Sequence, residues 1–115
     1  MDQPIYQPST CPLEAPAATT MRSLVLIYHE DFEDAINGII QREMGVARYT
    51  KVRNVVGARV ETMQDIDYQP ESRNHLLILV ADCETVHGIA RELKALRESR
   101  GHGVRGYITP VEEVI

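Results

Sequence analysis

The stretch "HLLILVADCETVHGIARELKALRESRGHGVRGYIT", residues 75–109, decides the fold, because it joins a strand, a helix and a second strand. Residues 75–81 form an unbroken apolar run that is typical of a buried strand. Residues 83–99 are predicted to form a helix, with Asp82 as its N-cap. Apolar side chains at helical spacing form its buried face: Val86, Ile89, Ala90, Leu93 and Leu96.

The turn that follows this helix is rich in glycine. Gly101 and Gly103 are predicted to end the helix, and residues 104–109 to form the last strand. Turns of this kind serve to reverse the chain, but their successive backbone N–H groups can also converge on an anion. The turn is therefore a candidate anion-binding site.

The first half of the chain repeats the pattern of strand and helix. Residues 23–28 predict a strand, and residues 31–45 a helix that ends at Gly45. Residues 48–60 mix β-branched and polar side chains, which predicts a second strand. Residues 61–73 are polar and contain a proline, which predicts a loop.

The element order β-α-β-β-α-β predicts an α+β fold of the ferredoxin-like type, with an antiparallel sheet and both helices on one face. We assign this domain to residues 21–115. Residues 1–20 contain four of the six prolines and are predicted to be a flexible tail. Met21 is an alternative start of the protein, and packing on a neighbouring molecule is an alternative role for the tail.

Composition excludes several functions. A net charge of −5 and few aromatic residues argue against a nucleic-acid partner. The chain has no apolar run long enough for direct membrane insertion and no signal-peptide pattern at its start. Cys11 and Cys83 lie far apart without metal-ligand spacing, which argues against a disulfide scaffold or structural zinc. A reducing cytoplasm is the expected location.

Strands one and three lack the alternation of apolar and polar residues expected when one sheet face is in water. Residues 24–28 and 76–80 are both continuously apolar, apart from the hydroxyl of Tyr28. Both faces are therefore predicted to be buried, the second one in a homo-oligomer whose sheets face inward. The alternative is that the tail covers this face.

A second turn with glycine and arginine, "VVGAR" at residues 55–59, leads into the 61–73 loop. We expect the end of strand two and the start of strand four to approach each other. Arg59 and Arg105 would then bracket a phosphate above the amides of Gly101 and Gly103. The alternative is that these are ordinary surface arginines beside ordinary turns.

Three segments resemble PII signalling proteins. "GHGVRGYITPVEEVI", residues 101–115, is similar to the family segment G-D-G-K-I-F-V-x-P-V-x-x-V-I. "GVARYTKVRNVVGAR", residues 45–59, resembles the entry to the long T-loop of that family. The strand and helix of residues 75–99 follow the family pattern, so the resemblance covers residues 21–115.

The resemblance implies a homotrimer of ferredoxin-like subunits with adenine-nucleotide sites in the clefts between them. It requires no cofactor and places no metal. In this sequence the nucleotide-binding residues would be a phosphate loop with its nearby cation, and the base of the T-loop: Gly101, His102, Gly103 and Arg105, and Gly57 and Arg59.

Departures from the family pattern narrow the expected function. Val104 stands where the family has lysine, and the sequence stops at Ile115, before the family's Arg-x-Arg segment. We expect ADP or AMP to be preferred over ATP, because fewer cations face the phosphates. The short T-loop, about residues 60–73, has Tyr68 without the flanking modification motif, which argues against nitrogen regulation.

The resemblance therefore points to the PII-like branch outside nitrogen control. Its members are encoded beside inorganic-carbon transporters, carboxysome genes or heavy-metal efflux genes. We expect a bicarbonate-class anion beside the nucleotide and an unidentified protein partner such as a membrane transporter.

Two alternatives remain open. The first is a metal-linked trimer like CutA or the efflux-associated relatives, with His29, His75 and His102 as ligands. The second is an amino-acid-binding regulatory domain of the ACT type, which shares the strand order. An enzyme is not expected, because no acid–base pair, catalytic triad or phosphate-binding Walker loop is present.

Overall fold

The computed structural model describes residues 19–56 and 73–115. Four strands and two α-helices make up this part of the chain, with one short 3-10 turn before the first helix. In chain order they are β1 (Met21–His29), the 3-10 turn (Glu30–Phe32), α1 (Glu33–Met44), β2 (Thr50–Val55), β3 (Asn74–Asp82), α2 (Cys83–Arg100) and β4 (Val104–Pro110).

The strands form one antiparallel sheet in the order β2-β3-β1-β4. The two central strands, β1 and β3, pair along their whole length, from Met21 with Asp82 to His29 with Asn74. This arrangement confirms the predicted ferredoxin-like α+β fold, because the strand order is that of two interleaved βαβ units.

The core lies between the sheet and the two helices. Every second residue of β1 is buried, including Leu24, Leu26 and Tyr28. The helices cover them with Ile36 and Ile40 from α1, and with further side chains from α2, Val86, Ile89 and Leu93. Burial of each such side chain stabilises the fold by about 2 kcal/mol.

Local signals set the helix ends as predicted. The Asp82 carboxylate accepts a 2.8 Å hydrogen bond from the backbone N–H of Thr85, so it caps α2. Gly45 and Gly101 follow α1 and α2 with positive φ angles of 76° and 86°. The first helix differs slightly from the predicted range of residues 31–45, because α1 begins at Glu33 after the 3-10 turn and ends at Met44.

The second sheet face is open in the single chain. Ile78 and Val80 of β3 are 39% and 42% exposed, and Tyr107 of β4 is 57% exposed. The continuous apolar runs of β1 and β3 therefore do supply apolar side chains to both faces. Among the described residues, only the helix-covered face of the sheet is buried.

Cys83 departs from the sequence-based expectation. It is buried at the start of α2, but it is disulfide-bonded. The argument against a disulfide, which rested on the distant spacing of the two cysteines, is therefore wrong.

In the two described ranges of the chain, neither helix is long and apolar enough to cross a membrane.

Candidate functional site

Four chain segments meet at one end of the sheet. β1 ends at His29 and β3 begins opposite it at Asn74. β4 begins beside β1, where Val104 pairs with Tyr28. β2 ends beside β3, where Val55 pairs with Asn74. The glycine turn before β4 and the chain leaving β2 are thus at the same end of the molecule.

The turn between α2 and β4 has an unusual backbone. Gly101 and Gly103 both have positive φ angles, 86° and 89°. The N–H of Gly101 donates to the carbonyl of Arg97 at 2.6 Å, so this amide caps the helix. It is not available to an anion, contrary to our expectation that both glycine amides lie beneath a phosphate.

The next two amides of the turn differ from that of Gly101. The carbonyl of Gly103 accepts a 2.9 Å hydrogen bond from the N–H of His29, which ties the turn to the end of β1. Within residues 19–56 and 73–115, the N–H groups of His102 and Gly103 have no backbone acceptor. They are the donors that this turn can offer to a ligand.

An aromatic ring supports the turn from below. Phe32 is 4% exposed, and a Cβ atom at position 103 would overlap its ring. The Arg100 guanidinium lies over the same ring, with its Cζ atom 5.2 Å from the ring centre. This cation–π contact holds Arg100 beside the turn. Neither Phe32 nor Arg100 was among the residues that the sequence predicted for this site.

The cations around the turn are not neutralised. Arg100, His102 and Arg105 are all exposed. In the part of the chain that the structure describes, neither arginine forms an ion pair with a carboxylate. We call residues 100–105 the cationic turn. It combines two free amides with uncompensated positive charge, which is the chemistry that binds a phosphate or carboxylate.

The strand order corrects one expectation about this site. β2 and β4 occupy opposite edges of the sheet, so their ends are separated by three strand spacings, roughly 14 Å. The end of β2 and the start of β4 therefore do not approach each other within one subunit. The other predicted site residues, Gly57 and Arg59, lie outside the described residues.

The β2 edge holds a network of paired polar groups at the same end of the sheet. The Tyr28 hydroxyl donates to one oxygen of the Glu33 carboxylate at 2.6 Å. Lys51 and Arg53 donate to the other oxygen at 2.8 and 3.2 Å. The Lys51 side chain is only 8% exposed. We call these four side chains the Glu33 cluster; they join β1, α1 and β2.

The Glu33 cluster shifts two pKa values. Desolvation alone would raise the pKa of Glu33, but the hydrogen bonds from Lys51 and Tyr28 and the charges of Lys51 and Arg53 outweigh it and lower the pKa to about 2. Burial and then the hydrogen bond to Glu33 raise the pKa of Tyr28 well above its ordinary value. The cluster is thus an ionised carboxylate between two cations and a neutral phenol.

A β-bulge ends β2 beside this cluster. The pairing with β3 shifts between Val52 and Val55, and Asn54 has a φ angle of 59°, which asparagine tolerates better than most residues. The N–H of Asn54 donates to Nδ1 of the buried His75 at 3.3 Å. The His75 ring also makes an edge contact with Tyr28. These contacts hold the end of β2 against β3 and β1.

The three histidines proposed as metal ligands each have a different environment. Nδ1 of His29 accepts from the N–H of Asp31 at 3.1 Å, and Nδ1 of His75 accepts from Asn54. His102 lies exposed in the cationic turn. Among the residues with described positions, no group of three or more His, Cys, Asp or Glu side chains is arranged to hold a metal ion.

No protein-family model and no curated protein sequence matches this chain. Solved structures do. CPII, a nitrogen regulatory PII-like protein from Thiomonas intermedia K12, matches with a TM-score of 0.60 and 16% identity, covering 79% of this chain and 91% of that one. The chain has the PII-like fold. A putative PII-like signalling protein from Thermus thermophilus matches with a TM-score of 0.56 and 20% identity, over 79% and 86% of the two chains.

A DUF3240 family protein from Shewanella baltica OS155 also matches this PII-like fold. Its TM-score is 0.61 at 17% identity, over 84% of this chain and 94% of that one. CPII was solved bound to ADP, AMP and bicarbonate, and also to ADP and bicarbonate. At these identities the likeness establishes the fold, in agreement with the resemblance found in the sequence.

Proposed function

We propose that this protein is a PII-like regulatory protein that binds ADP or AMP in the clefts between the subunits of a homotrimer. The observation that carries the proposal is the cationic turn. It offers the N–H groups of His102 and Gly103 and the charges of Arg100 and Arg105 at the open end of the sheet. The ADP and AMP bound to CPII, which has the same fold, support adenine nucleotides as the ligand class.

Phosphate suits the turn better than an uncharged ligand. Charge-assisted hydrogen bonds from guanidinium and backbone N–H groups to an anion are roughly twice as strong as neutral ones. The Phe32 ring fixes Arg100 against the turn, so less side-chain entropy is lost on binding. Val104 supplies no lysine after the second glycine, and Arg105 takes that role in the proposal.

Because β2 and β4 lie at opposite edges of the sheet, the predicted site residues near them are more easily brought together between two subunits than within one. A nucleotide held by the cationic turn lies at the β4 edge, three strand spacings from the end of β2. In a ring of subunits, the β4 edge of one subunit faces a neighbour, whose β2 end can then contribute Gly57 and Arg59. The open sheet face, with Ile78, Val80 and Tyr107, supplies the apolar surface that trimer formation would bury.

The proposal extends to an anion and to a protein partner. We place a bicarbonate-class anion near Arg59, beside the nucleotide, by analogy with the bicarbonate bound to CPII. The segment that follows β2, about residues 60–73, is the proposed T-loop, which changes conformation with the bound ligand and controls a partner such as a membrane transporter. Such control requires different ligand affinities in the two loop states. We also propose a cytoplasmic location, where the disulfide of Cys83 would be an exception to the reducing environment.

Isothermal titration calorimetry with ADP, AMP and ATP tests the nucleotide site. We expect ADP and AMP to bind, and Arg105→Gln to weaken ADP by about tenfold, the value of one charge-assisted hydrogen bond. Arg91→Gln is the matched control, because Arg91 is an exposed arginine of α2 away from the turn. Lack of any adenylate binding would refute the function, and ATP binding tenfold tighter than ADP would refute the stated preference.

Light scattering tests the trimer. We expect a mass of about three times the chain mass of 13.0 kDa at micromolar concentration. Replacing Ile78 with lysine places a charge on the open face and should reduce the mass to that of one chain. A wild-type protein that runs as a single chain would contradict the subunit clefts, whatever its nucleotide affinity.

A further inference from the structure

A cavity of about 350 Å³ opens between α2 and the β4 edge, on the helix side of the sheet. Its apolar floor comes from β1, β4 and α2, and its rim carries basic residues. The residues that line it are Leu24, Leu26, Ala90, Leu93, Lys94, Arg97, Val104, Arg105, Gly106, Tyr107 and Ile108. Its volume is at the lower end of the range for small-molecule sites.

The cavity follows from the packing of two helices on four strands. On the sheet, α2 packs more closely against β1 and β3 than against β4. The middle of β4 has no side chain to fill the gap, because it is Gly106. Glycine is required there, since a Cβ atom would come within 2.5 Å of the Val25 carbonyl oxygen on the adjacent strand. The space is therefore built into the fold.

The charge around the cavity has one sign. Lys94 and Arg97 are one turn apart on α2, and both are exposed. No acidic residue lines the cavity. Within the described ranges, neither Lys94 nor Arg97 forms an ion pair. An apolar floor beneath uncompensated cations matches an organic anion whose charged group remains at the rim while its hydrocarbon body displaces water from the floor.

We propose that this cavity binds a medium-chain carboxylate, with its hydrocarbon body against Leu24, Leu93 and Ile108 and its carboxylate between Lys94 and Arg97. The site adjoins the cationic turn and would hold its ligand through other residues. It shares Val104 and Arg105 with that turn at one end, but it extends along the helix side of β4 to Ile108. Lys94 and Arg97, which would hold the carboxylate, lie on α2 outside the turn.

Octanoate and 1-octanol have the same chain length but differ in charge, so comparing their affinities measures the contribution of the carboxylate. Methyl NMR on the full chain is expected to show shifts at Leu24, Leu93 and Ile108 with both ligands, and about tenfold tighter binding of octanoate. Equal affinities would overturn the proposal, because the cations would then have no role. Lack of octanoate binding would also overturn it.

Three variants locate the site. Arg97→Gln is expected to weaken octanoate about tenfold and leave octanol unchanged, whereas Arg91→Gln on the same helix changes neither. Ala90→Leu fills the cavity and is expected to weaken both ligands; circular dichroism confirms that it folds. No loss in Arg97→Gln would overturn the proposal.

Two further outcomes would also overturn the proposal. We expect saturating ADP to change octanoate affinity by less than about twofold, so displacement by ADP would make the cavity part of the nucleotide site. A change of mass in light scattering for Ala90→Leu, with no effect on octanoate, would make the cavity an interface between copies of the chain.

Discussion

The two edges of the sheet differ in whether their charged side chains are paired, although both sets of charges lie at the same end of the molecule. At the β2 edge, every charge of the Glu33 cluster has a partner within hydrogen-bond distance. At the β4 edge, Arg100 and Arg105 have no carboxylate partner among the described residues. Paired charges stabilise a fold, whereas unpaired charges beside free amides remain available to a ligand. The Glu33 cluster therefore uses its charges within the fold, whereas the charges at the β4 edge are available for the proposed nucleotide site.

The largest expected effect is a loss of folding stability when a charge is removed from the β2 edge. Lys51→Met leaves the Glu33 carboxylate with one cation fewer in a site where the lysine is 8% exposed. Removing one member of a buried ion pair typically costs about 3 kcal/mol. Urea denaturation should show a loss of this size, while ADP affinity stays within about twofold.

The control for Lys51→Met is Arg42→Met, which removes an ion pair with Glu92 in which the arginine side chain is 63% exposed. Its expected cost is below about 1 kcal/mol. Equal losses in the two variants would remove the distinction between the Glu33 cluster and an ordinary surface ion pair.

The second effect is the pH dependence of the same edge. Because the pKa of Glu33 is lowered to about 2 in the folded protein, its ionised form stabilises the fold above the ordinary carboxyl pKa of 4.5. This contribution, on the order of 2 kcal/mol after allowance for partial exposure, is lost as the pH falls from about 4.5 towards 2. The stability difference between wild type and Glu33→Gln should therefore shrink across that range.

Glu30→Gln provides the comparison for the pH experiment. Glu30 pairs with Arg73 at 3.4 Å, but both side chains are more than 40% exposed. Little change in unfolding free energy is expected at any pH. A Glu33→Gln difference that stays constant from about pH 5 to pH 2 would show that the cluster does not hold Glu33 ionised.

The features that could be predicted from the sequence are the local ones, whereas the contacts at the β2 edge could not be predicted. The strand and helix order and the caps at Asp82, Gly45 and Gly101 were predicted because each depends on neighbours within about four residues. The Glu33 cluster was missed, since Tyr28, Glu33 and Lys51 come from three elements and no local pattern links them.

The candidate site was predicted in part for the same reason. The glycines of the turn signal their backbone geometry locally, whereas the contact between Arg100 and Phe32 joins residues that are far apart in the chain. The expectation that β2 and β4 converge failed although the element order was right, because that order itself places the two strands on opposite edges.

The smallest expected effect compares the two glycines of the cationic turn. Gly101 and Gly103 have nearly the same φ angle, and alanine at either position costs about 1 kcal/mol for that backbone conformation. They differ in their surroundings: a Cβ atom at 101 meets nothing within 4 Å, whereas at 103 it overlaps Phe32. We expect Gly103→Ala to be less stable than Gly101→Ala by about 1 kcal/mol in urea denaturation.

The double variant Gly103→Ala/Phe32→Leu assigns that difference to the ring. Leucine at position 32 removes the overlapping atoms, so Gly103→Ala should cost less in the Phe32→Leu background than in the wild type, by about 1 kcal/mol of coupling energy. Strict additivity would mean that Phe32 does not support the turn. ADP affinity should fall with Phe32→Leu alone, because Arg100 then loses the aromatic face that holds it in place.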